Sequence, residues 1–131
     1  MAYLKPMPNR KNILVLDDDP DIGNVIKMIL EYQGYAVTVI DRHDKIGPLQ
    51  EWSNYDLVII DMLLSGINGV DICIQLKKEA TTSSLPVLMM SAHPNIMEEY
   101  LRAGANDYLR KPFELEELLA KVNHLLNQVH P

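Results

Sequence analysis

The chain has 131 residues, 47% apolar and 23% charged, which is the size and composition of one globular domain with a single core rather than of a disordered protein. Eighteen acidic residues against twelve basic ones leave a net charge of −6, and the basic residues are scattered, which argues against direct nucleic-acid binding. No apolar run approaches the roughly 18 residues that span a bilayer and the N-terminus lacks a signal-peptide core, so no membrane role and a cytoplasmic location are expected.

Residues 1–11 (MAYLKPMPNRK) carry two prolines and three basic residues without a period and read as a flexible N-terminal tail, leaving residues 12–131 as the domain. Ile13 to Leu16 is a short apolar run, followed by Asp17-Asp18-Asp19. Asp19 is then a candidate helix N-cap, with Pro20 at the first helical position and Asp21 in the first turn. Ile22, Val25, Ile26, Ile29 and Leu30 recur at helical spacing until Gly34 stops the helix. Ala36 to Ile40 is a second apolar run, followed by a weakly patterned helix over about Lys45 to Trp52.

Leu57 to Ile60 is a third apolar run and ends in Asp61. A helix over about Val70 to Glu79 places Val70, Cys73, Ile74 and Lys77 along one stripe. Cys73 is the only cysteine and lies between Ile72 and Ile74, so it is expected to be an inert core thiol. Val87 to Met90 is the fourth run, ending in Ser91-Ala92, and a fourth helix is expected to start near Pro94. A weaker fifth strand, Tyr108-Leu109, precedes Lys111-Pro112. The last helix has the clearest period, through Leu115, Leu118, Leu119, Val122, Leu125, Leu126 and Val129.

Strands that are apolar on both faces and alternate with helices predict a parallel sheet with right-handed crossovers and helices on both sides. In such sheets the site lies beyond the carboxyl ends of the strands, where strand order reverses. Those ends carry Asp17 and Asp18, Asp61, Ser91 and Lys111. Taken singly, the first acids could cap a helix, Asp61 and Ser91 could belong to turns, and Lys111 could be a solvated charge. Taken together, three converging carboxylates repel one another unless a cation joins them. Oxygen donors without a Cys/His set favour Mg²⁺ or Mn²⁺ over zinc. A carboxylate nucleophile, a metal, a lysine and a hydroxyl make a phosphoryl-transfer site, with Asp61 the better nucleophile because it stands alone at its strand end.

The segments ILVLDDDPDI, DLVIIDMLLSGINGVDIC, PVLMMSAH and AGANDYLRKPF, in this order, closely resemble the receiver domain of bacterial two-component response regulators (CheY-like) over about residues 12–129. The resemblance implies a flavodoxin-like (βα)5 three-layer α/β fold with strand order 2-1-3-4-5. It implies that Asp18 holds Mg²⁺ directly, that Asp17 acts on it largely through water, and that Asp61 is both phosphoacceptor and metal ligand. The main-chain carbonyl of Leu63 would be another ligand, and Mn²⁺ could take the place of Mg²⁺. Ser91 and Lys111 would bind phosphoryl oxygens, Tyr108 would be the aromatic switch that moves with Ser91, and the Lys111-Pro112 bond would be cis.

The implied function is that of a signalling domain rather than an enzyme. It would take a phosphoryl group from a sensor histidine kinase or phosphotransfer protein, lose it slowly by its own hydrolysis, and signal through the fourth helix, fifth strand and fifth helix. An output domain or a target protein would receive the signal, and a phosphorylation-dependent homodimer through the same face is compatible with it.

The chain departs from the family pattern in three places. Ser65 stands where Pro is usual, in a loop whose Gly66 and Gly69 are expected to permit tight turns. The stretch from Ser91 to Lys111 is slightly short, with Pro94 starting its helix early, which implies an altered output face. The positions two beyond Asp61 and Ser91, which tune phosphoryl lifetime in the family, are Leu63 and His93; His43, His124 and His130 are expected on the surface. Two other readings compete. Asp17-Asp18-Asp19 also suits a haloacid-dehalogenase-like phosphatase with Asp17 as nucleophile, but the later acids Glu114, Glu116 and Glu117 fall on the last helix. A docking module that never takes phosphate would not need the acids, Ser91 and Lys111 together.

Overall fold

The computed structural model describes residues 10–64 and 67–127. Residues 1–9 of the expected tail, Ser65 and Gly66, and Val129 and His130 lie outside the described residues. The elements are β1 (Asn12–Leu16), α1 (Pro20–Tyr32), β2 (Ala36–Ile40), β3 (Leu57–Asp61), β4 (Leu63–Leu64), β5 (Ile67–Asn68), α2 (Gly69–Lys78), β6 (Val87–Ser91), α3 (Ile96–Ala103), β7 (Asp107–Arg110) and α4 (Leu115–Leu126). Five of the strands form one parallel sheet in the order β2-β1-β3-β6-β7. Numbered among themselves, these strands run 2-1-3-4-5, the expected flavodoxin-like order. The short β4 and β5 pair antiparallel as a separate ribbon.

Side chains of successive strand residues point to opposite faces, and here both faces are covered. Leu14, Leu16, Val58, Ile60 and Met89 pack into one cluster with Val70, Cys73 and Leu76 of α2. Ile13, Val15, Leu57, Ile59 and Leu88 join a second cluster with Ile26 and Leu30 of α1 and Leu118, Val122 and Leu125 of α4. Two-sided burial is why β3 and β6 carry unbroken apolar runs, with every residue buried.

Helix α1 starts as its sequence dictates. Asp19 Oδ1 accepts from the N–H of Asp21 at 3.0 Å, Pro20 opens the first turn, and Gly34 takes φ 99° just past the end. The second crossover departs from expectation. Instead of an α-helix near Lys45 to Trp52 it holds two 3₁₀ turns, His43–Lys45 and Leu49–Asn54. Gly47 (φ 64°) and Pro48 between them explain the break, since positive φ and a missing N–H both end a helical ladder. Trp52 is still buried against the sheet, and its Nε1–H donates to Ile46 O at 3.4 Å.

Pro94 does not begin α3 either. It lies in a turn two residues before Ile96, and the helix runs only to Ala103 before Gly104 (φ 78°) ends it. At the end of the sheet opposite the acids, Asn106 Oδ1 accepts from Val87 N–H and from Lys77 Nζ, both at 2.9 Å, while Lys77 Nζ also donates to Leu85 O at 2.7 Å. Lys77 therefore buckles α2 to the loops that enter β6 and β7.

Candidate functional site

Register brings the acids together. Leu16 of β1 pairs with Ile60 of β3, so the next residues, Asp17 and Asp61, leave adjacent strands side by side. Ligand oxygens of Asp17, Asp18 and Asp61 all lie within 4.8 Å of one another. From the far side of β3, Met90 pairs with Asp61 and Arg110 with Ser91, which brings Ser91 and Lys111 to the same rim. Lys111 N–H donates to Ser91 O at 2.9 Å, and the Lys111-Pro112 bond is cis.

The lysine is the hub of the site. Its Nζ lies 2.9 Å from Asp17 Oδ2 and 2.7 Å from Asp61 Oδ2. Asp17 is fully buried, and its other oxygen accepts from Asp19 N–H at 2.9 Å, so both of its oxygens are engaged. Asp61 keeps 7% exposure, and its Oδ1 accepts from Leu63 N–H at 3.1 Å. Both carboxylates have both oxygens engaged; they differ in that Asp17 is fully enclosed whereas Asp61 keeps slight exposure, which leaves Asp61 the more open of the two to an incoming group.

The same arrangement sets the charges. Burial is the dominant influence on Asp61 and holds its carboxyl above the ordinary value, against the Lys111 ammonium and the Leu63 N–H, which pull it down, and with some help from the Asp17 charge. For Lys111, burial works against the ammonium, but hydrogen bonds and charge from Asp61 and Asp17 outweigh it and raise the lysine. Three carboxylates face one ammonium, and that oxygen-rich excess of negative charge fits Mg²⁺. A cleft of about 490 Å³ opens beside Asp18, walled by Leu16, Ile40, Ile46 and Leu64 and by the charged Asp41, Arg42 and Asp44.

Gly69 has a role different from the expected turn. Its φ is not positive; instead, a Cβ there would run into the backbone carbonyl of Asp61 and come within 2.9 Å of Ile60 Cγ2. Only a glycine lets the start of α2 lie against the end of β3, and nothing but the fold could reveal that.

The remaining expected residues surround this centre. Leu63 lies in β4 and is 57% exposed. Ser91 is buried, and its Oγ accepts from His93 N–H at 2.8 Å. Tyr108 is half-buried on β7, its ring centroid 4.8 Å from that of Tyr100 on α3 and 5.0 Å from the Lys121 ammonium of α4. Lys121 also pairs with Asp107 at 3.1 Å. Tyr100 and Lys121 were not legible as neighbours of Tyr108, because their meeting depends on how α3 and α4 flank β7.

The sheet is covered on both faces, and its acidic, lysine-bridged rim stands where strand order reverses, the place at which open α/β sheets carry their sites. The profile of the response regulator receiver domain matches residues 13–123. The chain is 38% identical over 121 residues to YkoG of Bacillus subtilis (strain 168), described as an uncharacterised transcriptional regulatory protein, covering 89% of this chain and 51% of YkoG. A putative response regulator from Chloroflexus aurantiacus J-10-fl superposes with a TM-score of 0.82 at 33% identity, over 92% of this chain and 100% of that one. TrrA of Thermotoga maritima, solved in complex with Mg²⁺-BeF, superposes with a TM-score of 0.78 at 29% identity, over 88% of this chain and 99% of that one.

The chain belongs to the response regulator receiver domain family, a family of signalling domains. It spans about half the length of the curated relatives it matches. Receiver domains bind Mg²⁺ in an acidic pocket, and Asp17, Asp18 and Asp61 form an acidic pocket here. Among the described residues no helix is long and apolar enough to cross a membrane.

Proposed function

We propose that Asp61 accepts a phosphoryl group from a phosphohistidine on a sensor histidine kinase or phosphotransfer protein. The Asp61 carboxylate attacks phosphorus, the P–N bond breaks, and the imidazole leaves with its electron pair and takes up a proton, leaving an acyl phosphate on Asp61. The observation that carries this reading is the Lys111 ammonium held against both Asp17 and Asp61 at the rim of the sheet.

Asp17, Asp18 and Asp61, with the Leu63 carbonyl, would hold Mg²⁺, which when bound neutralises charge on the phosphoryl oxygens; Mn²⁺ suits the same oxygen donors. Lys111, held at the rim by Asp17 and Asp61, would turn its ammonium from Asp61 to a phosphoryl oxygen once Asp61 carries the group. Ser91 would donate its hydroxyl to another. Water then hydrolyses the acyl phosphate slowly, with His93 and Leu63 bordering its approach.

The new charge biases two arrangements of the Ser91 loop and of Tyr108. Reversing a 1:99 population takes roughly 5.5 kcal/mol, within reach of several charge-assisted bonds. The signal leaves through α3, β7 and α4 toward an output domain or target protein, and the exposed Met97 and Leu101 of α3 supply apolar surface for that partner or for a phosphorylation-dependent homodimer. An apolar hollow of about 480 Å³ lies beside Lys111 between α1 and Phe113 and would offer the donor protein a seat. Such a relay operates in the cytoplasm.

Incubation with a small phosphodonor and Mg²⁺, followed by intact mass measurement, tests the reading. One phosphoryl adduct that disappears in Asp61→Asn and without Mg²⁺ supports it. An adduct that survives Asp61→Asn or requires Asp17 as acceptor overturns it, as does the absence of any adduct.

A further inference from the structure

The loop between β6 and α3 carries a relay of hydrogen bonds that phosphoryl binding does not account for. Ser91 Oγ accepts from His93 N–H at 2.8 Å. The imidazole of His93 in turn accepts, through Nδ1, from the backbone N–H of Asn95 at 3.1 Å. The His93 carbonyl accepts from Ile96 N–H at 3.3 Å, and the Asn95 carbonyl from Glu98 N–H at 3.1 Å and Glu99 N–H at 3.0 Å. Asn95 occupies the N-cap position of α3 but makes no side-chain cap bond. The side chain that closes the turn into α3 is therefore the imidazole two residues earlier.

That job is usually done by Ser, Thr, Asp or Asn, whose oxygens accept in any state near neutrality. An imidazole nitrogen accepts only when it carries no proton. The bond from Asn95 thus assigns the ring proton to Nε2 and requires the neutral ring. Protonation turns Nδ1 into a donor facing another donor, and it places a cation at the positive end of a helix dipole. The loop is joined to the strand beside it through the Lys111 N–H on Ser91 O, and Glu98 and Glu99 stand in the first turn of α3. Neither carboxylate can restore the lone pair that the bond needs.

We propose that His93 is a positioning residue that ties the Ser91 hydroxyl to the start of α3 and releases that helix end when its ring is protonated. The link to signalling rests on Ser91 as the phosphoryl-bonding hydroxyl, whereas the turn itself forms without phosphate. Any displacement of Ser91 Oγ passes through the His93 N–H to the residue whose ring holds Asn95. This gives α3, the first element of the output face, a direct tether to the site and an acid-labile one.

The test is NMR of the unphosphorylated chain followed between about pH 8 and pH 5. Ring nitrogen spectra should show the Nε2–H tautomer of His93 at the upper end. Amide exchange of Asn95, corrected for intrinsic pH dependence, should accelerate roughly fivefold as the His93 ring titrates, the effect of losing one modest hydrogen bond. His93→Ala should show the faster exchange at both ends of the range, and His93→Asn, which keeps a non-titrating acceptor, should show the slower exchange throughout. A Nδ1–H tautomer, an Asn95 amide indifferent to the His93 titration, or a His93→Ala variant that folds and protects Asn95 like the parent would each overturn the proposal. Should His93→Ala not fold, the tautomer and the comparison of the parent with His93→Asn decide it. No phosphodonor is present, so failure here is distinct from failure of Asp61 to accept a phosphoryl group.

Discussion

Lys111 donates to Asp61 Oδ2 at 2.7 Å, joining two residues 50 positions apart in the chain. The same ammonium serves Asp17, a carboxylate with no exposure, so the pair is a load shared among three strand ends rather than an isolated surface bridge. Its loss should be felt most when no other cation is present. Lys111→Met should lose about 3 kcal/mol of stability in a chelating buffer, since an unpartnered buried carboxylate is costly, and should regain a good part of it in Mg²⁺. Urea unfolding with and without Mg²⁺ measures both quantities. Equal losses in the two buffers would show that the ammonium and the metal do not share these carboxylates.

Asp61 has the opposite balance. Burial holds its carboxyl above the ordinary value. An acid that binds its proton more tightly when folded opposes folding once ionised. This penalty is absent below the unfolded value of about 3.9 and develops as pH rises through the interval up to the folded value. Asp61→Asn should therefore be at least as stable as the parent near pH 7 without Mg²⁺, and that advantage should vanish toward about pH 3. Urea midpoints across that range read it out, and a variant less stable at neutral pH would refute the sign.

Gly69 and Gly34 separate two uses of glycine. At Gly69 an added Cβ meets the Asp61 carbonyl, so Gly69→Ala must push apart β3 and α2 at the acidic rim. A loss of about 2–3 kcal/mol is expected, together with weakened Mg²⁺ binding. At Gly34 nothing lies within 4 Å of an added Cβ, and only its φ of 99° resists substitution. Gly34→Ala should cost about 1 kcal/mol and leave Mg²⁺ binding unchanged. Similar losses in stability and metal affinity for both variants would contradict the assignment.

Much of this fold could be read from the chain because two-sided burial writes itself as unbroken apolar runs, and the acids, Ser91 and Lys111 follow those runs directly. The weakly patterned helix expected in the second crossover is divided by Gly47 and Pro48, which stand inside it and confine it to two 3₁₀ segments. Pro94 suits a helix start, yet the chain spends Pro94 and Asn95 on a turn before Ile96. Other features had no local signal. Gly69 is fixed by the approach of α2 to β3, Asn106 and Lys77 by loops that meet across the sheet, and Tyr100 by the packing of α3 beside β7. The β4/β5 ribbon is too short for any period to announce it.

Cys73 offers a check on the core. Its thiol has no exposure, its Sγ donates to Ala103 O at 3.5 Å, and burial pushes its pKa up to about 11, with the Lys77 charge acting weakly against this. Near pH 8 the thiolate is scarce and inaccessible. A thiol reagent should leave Cys73 unmodified in the native chain and label it rapidly in urea. Fast native labelling would mean that α2 opens from the sheet far more readily than its burial allows.

The account depends above all on which carboxylate carries the phosphoryl group. Borohydride reduction of the chain after treatment with a phosphodonor and Mg²⁺ converts an aspartyl phosphate to homoserine, and peptide mapping then locates the converted residue. Homoserine at position 61, with Asp17 and Asp18 intact, is the result expected from a sealed Asp17 and a rim-facing Asp61. Conversion at Asp17 or Asp18, or none at Asp61 under conditions that yield an adduct, would contradict it.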